Sequence, residues 1–269
     1  MTVPNLRLCR SLLFLPASNP RAIEKARSLP ADMIILDCED AVRAEDKERA
    51  RIAAVEAAEK GFGERLCAIR INGYGTAEYG PDLETMRGCK ADFLILPKVE
   101  TAGQASDAAR QGGKPLLAMI ETAAGVLGAA SIAPETAGLI AGTNDLAADL
   151  AIPPGAGRAG LSYSLQAIIV AARQARVAAF DGVYNRLEDD DGLHVQCEEG
   201  RAFGFDGKSL IHPSQIETAN NIFGPSTAEI EAAQRLIEAA SGGAERYEGR
   251  MIEAMHVDQA RAVLAKARL

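Results

Sequence analysis

Short apolar runs alternate with alanine-rich segments of helical periodicity along most of the chain, and this alternation restricts its possible folds more than any other feature. Most of the runs are nearly continuous in apolar residues, as expected for parallel strands that are buried on both faces. Strands are predicted at residues 10–15, 33–36, 66–71, 93–96, 116–120, 139–141, 177–184 and 205–211. Helices are predicted between them at residues 22–28, 46–60, 101–111, 164–176 and 191–203.

Eight strands alternating with helices predict an α/β fold of the (β/α)8 TIM-barrel type over residues 1–224. Two further helical segments predict a short C-terminal helical tail over residues 225–269, which would form a surface cap or a lid exchanged with a neighbouring subunit. Gly242 and Gly243 predict a hinge before its last helix. An open doubly wound sheet is the alternative, but the residues after the first predicted strand lack the glycine-rich turn of that fold.

The charge and the cysteine content argue against several classes of protein. A formal net charge of −8 over 269 residues disfavours a nucleic-acid-binding protein, because phosphate contacts require clustered Lys and Arg. The five cysteines are scattered and form no Cys-x-x-Cys pair, which indicates reduced thiols in a cytoplasmic protein. No segment approaches the roughly 18 apolar residues of a membrane helix, so no membrane partner is expected.

Charged residues follow five consecutive predicted strands, at the ends that form the active face of a barrel. They are the segment Asp37-Cys-Glu-Asp40, Arg70, Lys98, Glu121 and Asp145. A single charge of this kind is explained by the point at which an apolar strand meets solvent. Five in succession indicate a functional site.

Glu121 and Asp145 are predicted to project from neighbouring strands, five and six, without a nearby His or Cys. Such a pair suits Mg²⁺, which prefers oxygen ligands and completes its coordination with water and substrate. The alternative is a pair of solvated acids at strand ends. Gly142 and Thr143, which shortly precede Asp145, are predicted to contact the substrate together with Glu121.

Arg70 is predicted to bind a substrate carboxylate or to share the negative charge of an enolate. Alternatively it neutralises Glu39 or Asp40, and both roles are compatible. Arg10 is either a substrate-binding residue or, with Arg7 nearby, a solvated charge at the start of a strand.

The three histidines give weaker signals, and loop bracing is favoured over catalysis for His212. The chain also lacks a Gly-x-Ser-x-Gly elbow, a Walker loop and a His-Glu-x-x-His motif.

Seven short motifs follow one another at these strand ends. They are RSLLFLP at 10–16, LDCEDAV at 36–42, IRING at 69–73, LPK at 96–98, IET at 120–122, DLAAD at 145–149 and GKSLIHPSQ at 207–215. Together they resemble the citrate lyase beta-subunit-like group of the HpcH/HpaI aldolase family, over about residues 8–265. The resemblance implies a (β/α)8 barrel, a homotrimer or homohexamer, Mg²⁺ as cofactor and a coenzyme A thioester as substrate.

The resemblance also implies roles for individual residues. Glu121 and Asp145 correspond to the metal ligands of the family and Arg70 to its substrate-binding arginine. Glu39 and Asp40 match the acidic segment near the metal. Arg10 and the loop at 16–18 match a region that contacts substrate or coenzyme.

Two positions depart from the family pattern. Ala17 stands where family members usually have glycine, which would alter contacts with the coenzyme. Glu253 stands where the family usually has an aspartate that a neighbouring subunit's tail contributes as an acid. Glu253 would serve as this acid with a longer side chain, or it would mark a changed substrate or a lost activity.

The resulting prediction is a magnesium-dependent carbon–carbon lyase that cleaves a citramalyl-, malyl- or citryl-type thioester into acetyl-CoA and a 2-oxo acid. A coenzyme-free class II aldolase that releases pyruvate from a hydroxy-2-oxo acid is an alternative, but it generally needs a histidine near strand two, and the first histidine here is His194. A catalytically silent barrel subunit is a second alternative, which the presence of Arg70, Glu121 and Asp145 disfavours. The sequence leaves open the thioester, its carrier and the direction of reaction.

Overall fold

Eight parallel strands form a closed barrel in the computed structural model, which describes residues 5–240 and 243–267. The strands are β1 Ser11–Pro16, β2 Met33–Asp37, β3 Leu66–Arg70, β4 Phe93–Leu96, β5 Leu116–Ile120, β6 Gly138–Ala141, β7 Ala178–Asp181 and β8 Gly207–Leu210. Each strand pairs with the next, and β8 closes the ring by pairing with β1 at Ser11↔Lys208. The predicted barrel is confirmed, and the open doubly wound sheet is excluded.

Helices follow the strands and lie on the outside of the barrel. They are α1 Pro20–Ala26, α2 Lys47–Lys60, α3 Tyr79–Met86, α4 Ala102–Gly112, α5 Ala123–Ile132, α6 Thr143–Asp149, α7 Ser162–Ala175, α8 Asp190–Phe203 and α9 Ile216–Phe223. The sequence pattern does not predict α3, α5, α6 or α9. Three of these helices are short, and α5 (AAGVLGAASI) is apolar around most of its circumference and therefore shows no amphipathic period.

The interior of the barrel positions the polar residues at its mouth. Ile35, Ala68 and Met119 belong to the apolar cluster that fills the inside of the barrel. Successive residues of a strand point to opposite faces, so every second residue points inward. Two residues beyond these three lie Asp37, Arg70 and Glu121, which therefore face the barrel axis at the carboxyl ends of β2, β3 and β5.

The tail consists of α10 Thr227–Ala239 and α11 Ala254–Lys266, which pack against each other, with the two-stranded sheet of β9 Glu245–Tyr247 and β10 Arg250–Ile252 between them in sequence. Lys266 Nζ donates to the carbonyl oxygen of Asp206 at 2.5 Å, directly before β8. The end of α11 is thus anchored at the amino ends of the strands, opposite the mouth. The predicted hinge falls partly on Gly242, outside the described residues.

The exchange of the tail between subunits stays a prediction. Across residues 5–240 and 243–267, no helix has both the length and the apolar character needed to span a membrane.

Candidate active site

The mouth of the barrel contains a cavity of about 420 Å³ at the carboxyl ends of the strands. Its lining combines four carboxylates with one arginine and several apolar side chains. The lining residues are Phe14, Leu15, Pro16, Asp37, Asp40, Ala41, Arg70, Met119, Glu121, Ala141, Gly142, Thr143, Asn144, Asp145, Val183, Ser209 and Ile211. A second cavity, which shares Asp40 with the first, is lined by Glu39 and Lys98 among others.

Glu121 is almost completely buried, with 1% of its surface exposed. Its Oε1 accepts a hydrogen bond of 2.8 Å from the backbone N–H of Lys98. Its Oε2 is buried and has no hydrogen-bond partner within the described residues. Burial, reinforced by the nearby Glu39 and Asp145 carboxylates, raises the Glu121 pKa to about 7. A bound cation would supply the partner that the second oxygen of this buried, oriented carboxylate lacks.

Gly142 makes room for this carboxylate. A Cβ atom at position 142 would lie 2.2 Å from Glu121 Oε2, far inside any normal contact distance. The residue that follows β6 must therefore be glycine if Glu121 is to keep its position. Immediately after it, α6 begins at Thr143 and carries Asp145 in its first turn.

Arg70 is fixed by a set of ion pairs at the same mouth. Its Nε and Nη2 atoms donate to both carboxylate oxygens of Asp37 at 2.7 and 2.6 Å. Its Nη1 lies 2.9 Å from Glu39 Oε2, and the guanidinium carbon lies 5.1 Å from the centre of the Phe14 ring. Burial alone would lower the Arg70 pKa, but Asp37 and Glu39 raise it above its usual value. Arg70 is therefore a permanently charged, oriented cation.

Lys98 stands between the acidic groups at the mouth. Its Nζ lies 3.7 Å from Glu39 Oε1 and 4.0 Å from Asp145 Oδ1. Its backbone has a φ of 52°, which is unusual for a residue with a side chain. This conformation coincides with the N–H contact that orients Glu121. Burial raises the pKa of Glu39 despite the opposing effect of Arg70.

The structure brings most of the predicted site residues together. Those that line the mouth or contact its lining are Glu39, Asp40, Arg70, Glu121, Gly142, Thr143 and Asp145. The predicted partners of Arg70 need one change, because it pairs with Asp37 and Glu39, whereas Asp40 only lines the cavities.

The predicted substrate contact of Arg10 is wrong for a site at the mouth. Arg10 precedes β1, at the opposite end of the barrel, where its Nε and Nη2 donate to Asp32 at 2.9 and 2.8 Å. The motif at 10–16 spans an entire strand, so its first residue lies a full strand length from the substrate. The solvated-charge alternative is also inaccurate, since the Asp32 pair is largely buried.

Glu253 is not brought to the mouth of its own barrel. It is exposed and precedes α11, where its backbone N–H donates to His256 Nδ1 at 3.0 Å. Its contribution to a neighbouring subunit stays a prediction.

Three residues of the site had no assigned role. Asp37 orients Arg70, Lys98 orients Glu121, and Ser209 lines the cavity from β8. The period of two along β2 and β8 could have placed Asp37 and Ser209 inside the barrel. The N–H contact of Lys98 depends on its unusual backbone and has no signal in the sequence.

The residues present fit a hard divalent cation that keeps part of its hydration. Glu121 offers a buried, unpaired oxygen, and Asp145 offers a half-exposed carboxylate nearby. In the part of the chain that the structure describes, no three His, Cys, Asp or Glu side chains cluster as a metal centre. Two protein oxygens with open positions are the pattern that Mg²⁺ tolerates and that structural Zn²⁺ does not.

This chain is similar to known proteins in sequence and in architecture. Residues 10–213 match the HpcH/HpaI aldolase/citrate lyase family, and residues 161–269 match a family of C–C bond lyases of the TIM-barrel fold. A (3S)-malyl-CoA thioesterase of Cereibacter sphaeroides is 44% identical, over 96% of this chain and 94% of its own length. The citrate lyase subunit beta of Leuconostoc mesenteroides is 35% identical, over 91% of this chain and 86% of its own.

Solved structures agree with this relationship. The CitE protein of Mycobacterium tuberculosis, in complex with magnesium, acetoacetate and coenzyme A, superposes with a TM-score of 0.84 at 32% identity and covers 98% of this chain and 100% of its own. The citrate lyase beta subunit of M. tuberculosis with oxaloacetate and magnesium gives a TM-score of 0.75 at 35% identity and covers 82% and 100%. The chain belongs to the HpcH/HpaI aldolase/citrate lyase family, whose enzymes act on carbon–carbon bonds.

Proposed function

We propose that the protein is a magnesium-dependent lyase that cleaves a 3-hydroxyacyl-CoA thioester into acetyl-CoA and a 2-oxo acid. The observation that carries the proposal is the unpaired Glu121 Oε2, buried at the mouth beside Asp145 and held by the Lys98 backbone. Mg²⁺ and coenzyme A or a small oxo acid are bound by the related M. tuberculosis proteins. A cavity of about 420 Å³ has room for the short acyl part of such a substrate.

Glu121 and Asp145 would hold the cation through their carboxylate oxygens. When bound, Mg²⁺ supplies a Lewis acid that polarises the oxygens of the oxo-acid fragment. Arg70, kept charged and oriented by Asp37 and Glu39, stabilises the negative charge that develops on the thioester enolate.

Cleavage also requires two proton transfers. The substrate hydroxyl loses its proton, the carbon–carbon bond breaks with its electrons passing to the thioester α-carbon, and that carbon then takes up a proton. Glu39 is the candidate to accept the hydroxyl proton, since it adjoins the mouth through Arg70 and burial raises its pKa from the usual value of a glutamate. The acid that protonates the α-carbon would be Glu253 of a second copy, because Glu253 lies outside the mouth of its own barrel.

Hydrolysis of the thioester itself is a second candidate, favoured by the relationship at 44% identity to a malyl-CoA thioesterase. In that reaction a carboxylate of the mouth would deprotonate a water molecule as its oxygen attacks the thioester carbonyl. The carbon–sulfur bond would then break, and the coenzyme A thiolate would leave and take up the proton. The coenzyme-free aldolase is less well supported, because the described residues that line the cavity include no histidine.

The products distinguish these reactions. Purified protein with Mg²⁺ should be incubated with citramalyl-, malyl- and citryl-CoA, and both the coenzyme A species and the free acids should be quantified by chromatography. A lyase releases acetyl-CoA with pyruvate, glyoxylate or oxaloacetate. A thioesterase releases free coenzyme A with an intact hydroxy acid.

Glu121→Ala should lower turnover about 100-fold or more, and exposed Glu135 provides the matched control, Glu135→Ala, with unchanged turnover. Turnover of all three thioesters that survives a chelator would contradict the proposal. Silence of the unaltered, folded protein on all three would contradict it equally.

A further inference from the structure

Ser209 has a buried hydroxyl for which the protein provides no partner. It lies on β8, has 1% of its surface exposed, and lines the mouth cavity together with Arg70 and Glu121. Its Oγ accepts from no donor and donates to no acceptor among residues 5–240 and 243–267. Buried hydroxyls in folded proteins are nearly always hydrogen-bonded, so an unpaired one that faces a cavity points to a ligand.

The neighbouring polar residues show that this strand is otherwise well satisfied. Lys208, which points to the opposite face of β8, donates to Asp181, to the carbonyl of Gly182 and to Gln196. Ser11, the buried serine of the adjacent strand β1, accepts the backbone N–H of Asp32 at 3.1 Å. Ser209 thus differs from the buried polar residues next to it on β8 and β1, whose polar atoms are paired within the protein.

The electrostatics of the mouth favour an anionic oxygen as this partner. Arg70 is the one cationic side chain among the described residues that line the cavity, and its guanidinium is already engaged by Asp37 and Glu39. A substrate carboxylate that enters beside Glu121 and Asp145 needs further hydrogen-bond donors. A serine hydroxyl supplies one without adding charge.

The position of Ser209 in the barrel also favours a contact with a bound acid. Ser209 lies on β8. Along the barrel, β8 is three strands from β5, which Glu121 follows, and two strands from β6, which precedes Asp145 in sequence. An acid held at the β5–β6 side therefore extends toward Ser209 across a floor that includes the apolar Phe14 and Met119.

We propose that Ser209 is a substrate-binding residue whose hydroxyl donates a hydrogen bond to a carboxylate oxygen of the 2-oxo-acid fragment. The inference rests on the proposed function, since it assumes that such a fragment occupies the mouth. It adds a contact to β8 that orients the acid against Arg70 and the β5–β6 carboxylates.

Binding of pyruvate in the presence of saturating Mg²⁺, measured by calorimetric titration, tests this role. Ser209→Ala should weaken pyruvate binding about tenfold, as expected for the loss of a hydrogen bond to a charged group. Ser209→Thr keeps the hydroxyl and suits a β-strand, so its affinity should stay within about threefold of the unaltered protein. The affinity for Mg²⁺ alone should be equal in all three proteins.

Thermal unfolding separates binding from structure. Removing an unpaired buried hydroxyl should leave the Tm of Ser209→Ala equal or higher, whereas a structural serine would lower it on mutation. The matched variant Ser11→Ala removes a hydroxyl that is bonded to Asp32 and should lower the Tm while leaving pyruvate affinity unchanged.

Equal pyruvate affinity in Ser209→Ala and the unaltered protein would overturn the inference, as would a lowered Tm that threonine does not restore. Failure of the unaltered protein to bind pyruvate would overturn it as well. Serine-dependent pyruvate binding without cleavage of any thioester would refute the lyase function alone. Cleavage with an unchanged KM in Ser209→Ala would refute the role of Ser209 alone.

Discussion

Two of the clusters of buried charge among the described residues lie on opposite faces of the barrel strands, and they are built in different ways. The outer cluster lies beneath α8 and joins Asp181, Lys208 and Arg158. Asp181 and Lys208 are fully buried, yet the three donors of the ammonium have three acceptors, and both Asp181 oxygens accept hydrogen bonds. Arg158 donates to Asp181 through Nη1 and Nη2, whereas its buried Nε has no partner among the described residues. The mouth cluster of Asp37, Arg70, Glu39 and Glu121 instead leaves Glu121 Oε2 without a partner, and Ser209 Oγ, which lines the same cavity, is also unpaired.

The difference distinguishes a structural cluster of charges from a functional one. Buried charges that are neutralised by one another hold elements together and leave no acceptor oxygen for a ligand. An incomplete cluster that faces a cavity is destabilising in isolation and becomes favourable only when something else binds. Burial of charge is common to both clusters, so burial alone does not identify the active site. The mouth cluster is distinguished by two unpaired oxygens that line one cavity, Glu121 Oε2 and Ser209 Oγ.

The largest expected effect comes from breaking the outer cluster. Asp181→Asn leaves Lys208 buried without its counter-charge and Arg158 with Glu199 alone, and the free energy of unfolding should fall by about 3–5 kcal/mol. Urea unfolding followed by circular dichroism measures this change. The control, Asp107→Asn, removes a half-exposed acid that pairs with Arg110 and should cost less than about 1 kcal/mol. A similarly small loss for Asp181→Asn would end the distinction between the clusters.

A change of opposite sign is expected at the mouth when no Mg²⁺ is present. The Glu121 pKa is raised from 4.5 to about 7, so the folded state holds this proton more tightly than the unfolded state. The stability of the unaltered protein should therefore decline as the pH rises through this interval. Glu121→Gln removes the ionisation and should raise the free energy of unfolding at pH 8 by about 1–3 kcal/mol.

The measurement is the difference in unfolding free energy between Glu121→Gln and the unaltered protein, in a chelator, at several pH values. The difference should vanish below pH 4.5, where both side chains are neutral. Saturating Mg²⁺ should reverse its sign at pH 8, because only the unaltered protein binds the cation tightly. A variant less stable than the unaltered protein in chelator would show that Glu121 is a structural residue.

The smallest expected effect comes from a substitution at the mouth that removes no charge. Gly142→Ala would displace the Glu121 carboxylate, and Mg²⁺ affinity measured by calorimetric titration should fall about 10–100-fold. Gly80→Ala is the matched control, since a Cβ atom on that helical glycine meets nothing within 4 Å. Equal Mg²⁺ affinity in the two variants would separate Gly142 from the cation site.

The strands and the mouth acids could be predicted because both depend on local pattern. Predicted and observed bounds coincide for β4 and β5, and the end of each apolar run placed Arg70, Glu121 and Asp145 at the mouth. The seventh and eighth strands were predicted too long, since apolar and aromatic residues continue into loops beyond the last ladder pairs.

Contacts between distant segments could not be predicted from pattern. Arg10 was placed at the wrong end of the barrel because its motif spans the full length of β1. The clamp of Asp37 on Arg70 depends on the register between β2 and β3, in which these two residues are paired. The unpaired state of Glu121 and Ser209 is defined by what surrounds them in three dimensions, and no single position in the sequence carries it.

The pairing of β8 with β1 has a consequence beyond the site. Ladder contacts at Ser11, Leu12 and Leu13 leave neither strand with an open edge. A chain that stops before Gly207 would expose the hydrogen-bonding edges of β1 and β7, which are templates for association with other chains. It would also lack Ser209. Truncation before Gly207 would therefore remove both the protection against aggregation and the Ser209 side of the mouth, because both depend on β8.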